Sequence, residues 1–197
     1  KHSTQPISIT PIRLENIKDI FVRERLKIQS TEFAFSRFLV PYLCNYSGHA
    51  IFMDCDMLSR ANIAELWRLR TTKYAVQCVQ HDYTPTSTIK FMNQPQTPYP
   101  KKNWSSMMIF NNAKCTALTP DYVNSATGLE LHQFKWLESE DLIGNLGVEW
   151  NHLVGEYEYN ENAKLVHYTE GGPYFKNYKN CHYADEWFDT FKESTQI

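Results

Sequence analysis

Two aspartates one residue apart, Asp54 and Asp56, stand directly after the apolar run Ala50-Ile51-Phe52-Met53. A short unbroken apolar run reads as a strand buried on both faces of a mainly parallel sheet. Ligands of such sheets bind outside the carboxyl ends of the strands, which is where these carboxylates fall. If extended geometry persists through Cys55, both carboxylates point to one side. Two converging carboxylates suit a hard divalent cation such as Mg2+ or Mn2+. The competing reading is structural, since an aspartate after a strand also serves as a turn or cap residue. Arg37 divides in the same way. It is either a solvent-facing charge amid an apolar pattern or a guanidinium aimed at the strand ends, where it could meet phosphate.

The elements that must position these groups read as an α/β chain. Pro6–Thr10 alternates apolar and polar and predicts a strand ending at Pro11, and residues 15–29 read as a surface loop. Ser30-Thr31-Glu32 looks like a helix start, followed by Phe35, Phe38, Leu39, Tyr42 and Tyr46 at helical spacing, with Pro41 dividing the helix. Asn62-x-x-Glu65 resembles a capping box opening a helix over Ile63–Leu69, and Tyr74–Val79 is a second strand. Residues 84–103 hold Pro85, Pro95, Pro98 and Pro100 and read as a long loop, which in compact domains is usually functional or mobile. Ser105–Phe110 is a further strand. Thr119-Pro120 opens a helix that Gly128 would end. Residues 142–159 show no clear period, Lys164–Val166 is a last strand, and Tyr183–Glu193 is an amphipathic helix. No repeat or linker divides residues 1–197, so the chain reads as one domain.

Composition narrows the function classes. The 20 basic and 22 acidic residues leave a formal charge of −2, which argues against nucleic-acid binding through a basic surface. No apolar run is long enough to span a membrane. The five cysteines are odd in number and lack metal-site spacing, which suits a reducing compartment, the cytoplasm. The 12 Tyr, 11 Phe and 5 Trp serve core packing, and would also suit a site that stacks on sugars or bases.

Taken in order, the motifs resemble a known family. Thr31–Phe38, Tyr42-Leu43, Ile51–Asp56 and Asn62-Ile63-x-Glu65-Leu66 resemble the core of glycogenin-like and galactosyltransferase-like glycosyltransferases of GT-A fold. Ser105–Asn111 looks like the family strand bordering donor and acceptor sugars, which makes Ser106 a candidate catalytic-site residue. Trp150-Asn151 resembles the family's Trp-Asn. His167-Tyr168-x-x-Gly171 resembles its late His-x-x-Gly, whose histidine is the third metal ligand.

The resemblance implies a GT-A-like α/β domain that holds Mn2+ (or Mg2+) on Asp54, Asp56 and His167. Arg37 and Asp54 would bind the diphosphate region. The donor would be a nucleoside-diphosphate sugar, the acceptor a saccharide or glycoconjugate, and transfer would retain configuration. Read by itself, His167 also fits a buried histidine bonded to backbone. Histidine among the ligands favours Mn2+ over Mg2+.

Three departures from the family pattern carry consequences. The acceptor-side Asp-Gln is Glu138-Ser139-Glu140-Asp141 here, leaving Glu140 and Asp141 as the candidate acids. The phosphate-binding lysine after the histidine is replaced by Gly172-Pro173-Tyr174, with Lys176 as a substitute. The family's first strand, expected before Pro6, is missing, which predicts either copies pairing through an open sheet edge or a longer chain. Two other readings stay open: a nucleotidyltransferase, and a GT-A-like domain that binds a sugar or partner without turnover.

Overall fold

The structure is a computed structural model and describes residues 2–24, 31, 33–82, 89–90, 94–95 and 100–195. After a single helical turn, α1 (Val40–Leu43), the chain forms β1 (His49–Met53), β2 (Met57–Ser59), α2 (Ile63–Arg68), β3 (Val76–Val79), and the short β4 (Ile89–Lys90) and β5 (Gln94–Pro95). It continues through β6 (Met107–Asn111), α3 (Pro120–Ser125), α4 (Gly128–His132), β7 (Ile143–Leu146), β8 (His152–Leu153), β9 (Leu165–His167) and α5 (Ala184–Thr195).

The α/β class stands, but the main sheet is mixed. Its strand order is β1-β6-β3-β7, and only β3 and β7 run parallel. The wholly buried strands are β6 and β3 at its centre. Among the described residues β1 pairs with β6 alone and is half-buried along its length, with Met53 38% exposed. Its two faces still divide as strand geometry demands. Ala50 and Phe52 pack on the cluster containing Phe38, Leu39 and Phe110, and Ile51 packs on the one containing Leu66, Ile109 and Trp150. An apolar run reports such two-sided contact but not whether the strand sits at the centre or the edge.

A second sheet, β2-β9-β8, sits where the first ends. β2 pairs antiparallel with β9, setting Met57 opposite His167, and β8 pairs parallel with β9. The turn between β1 and β2 therefore lies beside the end of β9, because the Tyr168 N–H donates to the Asp56 carbonyl at 3.0 Å.

Several boundaries differ from the expectations. Pro6–Thr10 forms no ladder with any of the described residues, and Ile7 and Ile9 are 57% and 80% exposed. Alternation marks a strand only where a partner edge accepts it. The helix expected after Thr31 is a 3-10 turn, Ser36–Leu39, followed by α1, with Pro41 at its start. The Ser30 and Glu32 of its cap lie outside the described residues, as does most of the loop expected at 84–103.

Asn62 caps α2 by accepting from the Ala64 N–H, whereas Glu65 turns away to Lys164 at 3.0 Å. Thr119 and Pro120 open α3 as expected, but α3 stops before Ala126. Gly128 instead begins α4, behind a Thr127–Glu130 capping box. A side chain there would strike the Phe35 ring, 2.8 Å from the Cβ position, so glycine lets α4 close onto the core. β7 and β8 arise within 142–159, where no period announces them.

Candidate active site

The strand β1 ends at Met53, not at Asp56. The Asp54 N–H donates to the Ser106 carbonyl at 2.9 Å, and the chain turns at Cys55. The two carboxylates converge because of this turn rather than through continued extended backbone. Asp54, Asp56 and His167 bring one ligand atom each within 4.8 Å of one another. All three line a cleft that Arg37, Lys102 and Ser106 also border.

Arg37 is buried and holds Asp54 in two-pronged contact, with Nη2–Oδ1 at 2.7 Å and Nη1–Oδ2 at 3.1 Å. Its Nε donates to the Ala34 carbonyl and its Nη1 to the Ser105 carbonyl, each at 2.8 Å. A guanidinium has five N–H donors, so these four contacts leave one Nη2–H for a ligand. The first task of Arg37 is thus to fix Asp54. Burial pushes the Asp54 carboxyl above the usual carboxylate range, and the guanidinium opposes that push. For Asp56 burial also acts upward, but the imidazole of His167 outweighs it and holds the carboxyl below that range.

His167 is oriented by a buried chain of hydrogen bonds. Ser106 Oγ donates to the Asn103 carbonyl at 2.6 Å, and Asn151 Nδ2 donates to Ser106 Oγ at 2.8 Å. Those contacts turn the Asn151 Oδ1 toward His167 Nδ1, 3.2 Å away. An amide oxygen only accepts, so Nδ1 carries a proton, and Nε2, 3.3 Å from Asp56 Oδ1, is the ring nitrogen left to meet a metal. That oxygen is buried and has no hydrogen bond. Two anionic oxygens and an imidazole nitrogen with its far side anchored match the donor set of a divalent metal. The residues present therefore fit the ion that the sequence implied.

Asn151 sets the ring angle of His167 without touching the ligand position. Asn151→Ala is expected to weaken Mn2+ binding by about 10–100-fold, read by calorimetric titration. Wild-type affinity in that variant would separate the histidine from the site.

The other expected site residues scatter. Ser106 borders the cleft, but its hydroxyl is spent on Asn103 and Asn151. Glu140 and Asp141 are exposed and outside the cleft lining: Glu140 pairs with Lys101 at 2.7 Å, and Asp141 accepts from Ser139. Lys176 is exposed on the 3-10 turn Lys176–Tyr178 and does not reach the cleft lining either. The lysine that does line the cleft is Lys102, buried to 5% exposure. It sits at the end of the proline-rich stretch, and the order of motifs carries no signal for it. Glu156, on the loop between β8 and β9, lines the cleft as well and was equally silent in the sequence.

The mixed sheet with its flanking helices has the GT-A-like fold of glycosyltransferases. The chain superposes on the bifunctional glycosyltransferase WbbM with a TM-score of 0.58 at 12% identity, over 86% of this chain and 36% of that one. On the glycosyltransferase GlyE of Streptococcus pneumoniae TIGR4 the TM-score is 0.52 at 12% identity, over 91% of this chain and 51% of that one. The chain thus spans about a third and about half of these proteins, and at such identity the likeness is one of fold. No family model matches the sequence. The chain is 47% identical over 202 residues to Protein CDI of Arabidopsis thaliana, covering 98% of this chain and 78% of that protein, and it belongs to the same family.

Proposed function

We propose that this chain is the donor-binding domain of a metal-dependent glycosyltransferase that moves a hexosyl group from a nucleoside-diphosphate sugar to a saccharide or glycoconjugate. Transfer with retention follows the family resemblance. The observation that supports the reading best is the convergence of Asp54, Asp56 and His167 within 4.8 Å in a cleft that also holds Lys102. Mn2+ (or Mg2+) held by these three residues would supply Lewis-acid neutralisation of the leaving diphosphate.

The chain's own groups do the rest of the positioning. Arg37 locks the Asp54 carboxylate, and its remaining Nη2–H would be available to an anionic oxygen in the cleft that it lines. Lys102 adds a point charge on the cleft wall. Asn151 keeps the His167 proton on Nδ1. Ser106 acts through Asn151 as part of that support, so on this reading it is a positioning residue. The acceptor-side acid that the resemblance places at Glu140 or Asp141 would have to reach the sugar from outside the cleft lining.

The test is hydrolysis without acceptor. The chain is incubated with a panel of sugar nucleotides and Mn2+, and release of nucleoside diphosphate is measured with and without chelator. Chelator-sensitive release restored by Mn2+ is the expected result. If no sugar nucleotide is turned over and no nucleoside diphosphate binds in a Mn2+-dependent way, the reading fails.

A further inference from the structure

The amphipathic helix α5 packs Trp187 partly against the core cluster of Leu58, Val166 and Tyr168 and leaves Phe191 exposed. Tyr174 and Phe175, which line the cleft, are 45% and 38% exposed, with ring centroids 4.7 Å apart. Tyr174 then meets Trp187 at 5.2 Å, and Trp187 stacks on Phe191 at 5.2 Å with only 7° between the rings. Phe191, at the outer end, is 52% exposed. The four rings form a continuous strip from the cleft onto the surface. Gly172 lets the Tyr174 ring lie against its backbone, where a side chain would collide with it.

We infer that this strip is the acceptor subsite and that its occupant is an uncharged saccharide, whose apolar ring faces stack on the exposed Tyr174 and Phe191, with Trp187 holding the two together. The inference rests on the donor-site reading, because the inner rings are walls of the same cleft. Charge argues against the alternatives. α5 carries four acidic residues, Asp185, Glu186, Asp189 and Glu193, against the single base Lys192. Helices that lie on anionic membranes carry the opposite balance. Size argues against a second copy of the chain. Aromatic side chains bury about 150–250 Å2 each when fully covered, so the three exposed rings Tyr174, Phe175 and Phe191, with the partly buried Trp187, fall well short of the ~800 Å2 per partner of a stable dimer. Broad, rigid and amphipathic rings bind with little loss of side-chain entropy, which suits a weakly polar ligand met face-on.

The experiment titrates the chain with maltotetraose, cellotetraose and xylotetraose and follows tryptophan fluorescence, with Trp187→Phe identifying the reporter. Saturable binding of at least one tetrasaccharide is expected, weakened about tenfold or more in Phe191→Ala. That variant should melt with the wild type, because its ring is half exposed. No saturable change up to about 10 mM, or equal binding by Phe191→Ala, overturns the strip. So does Phe191-dependent binding to phosphatidylserine vesicles, or Phe191-dependent dimerisation in sedimentation. Stabilisation of the wild type by Mn2+ with nucleoside diphosphate is read in parallel. If it persists while saccharide binding is absent, only the strip fails. If it is absent while saccharide binding persists, only the donor reading fails.

Discussion

Asp56→Asn is expected to remove Mn2+-dependent turnover while leaving the chain folded. The buried Oδ1 of Asp56 has no hydrogen bond and lies 3.3 Å from His167 Nε2, so an amide there forfeits one anionic ligand of three. Losing several kcal/mol of charge stabilisation corresponds to a fall on the order of a hundredfold or more in kcat/KM. The unliganded protein should change by about 1 kcal/mol at most, because the Asp56–His167 pair is partly open to solvent and such pairs contribute little. The binding signature is sharper than the rate. A ligand at about a hundred times its Kd stabilises the native state by about 2.7 kcal/mol, and the variant should lose that increment for Mn2+ with nucleoside diphosphate. A melting shift equal to that of the wild type would sink the metal site.

The triad was legible through the order of its motifs along the chain, since an aspartate after a strand is by itself as readily a turn or cap residue. What the sequence could not show is how the pieces meet. Ser106, Asn151 and His167 read as three separate motifs, and the buried hydrogen bonds that join them appear only when β6, β8 and β9 come together. The convergence of Asp54 and Asp56 was foreseen for the wrong reason, since a turn at Cys55 does what continued strand was expected to do. Lys176 was favoured for its place after the histidine. Lys102 has the better position, and it comes from a stretch whose local pattern gives no hint of burial.

Edges were the least legible feature. Periodicity measures how a segment is covered, not which neighbour covers it. Among the described residues Pro6–Thr10 alternates without a partner strand, whereas β1 is apolar from Ala50 to Met53 yet stands at the edge. The aromatic excess was visible in composition. Only the fold separates rings that fill the core, such as Trp150 and Phe110, from exposed ones such as Tyr174 at the cleft and Phe191 on α5.

Arg37→Met is expected to cost about 3–5 kcal/mol of stability, because it strands a buried carboxylate whose two oxygens now face the guanidinium. It also strips the Ala34 and Ser105 carbonyls of their donor, and leaving such groups unpaired costs more than their hydrogen bonds gain. Arg37→Lys should recover little, since an ammonium cannot reproduce a planar fork that reaches four acceptors. The decisive variant is the double, Arg37→Met with Asp54→Asn. Removing the charge that needs a partner should return a large part of the loss, giving a coupling energy within the ~0.5–3 kcal/mol seen for contacting residues. Urea unfolding of the four proteins measures it. If Arg37→Met unfolds within about 1 kcal/mol of the wild type, Arg37 does not hold Asp54, and its role falls back to that of a guanidinium at the strand ends meeting phosphate.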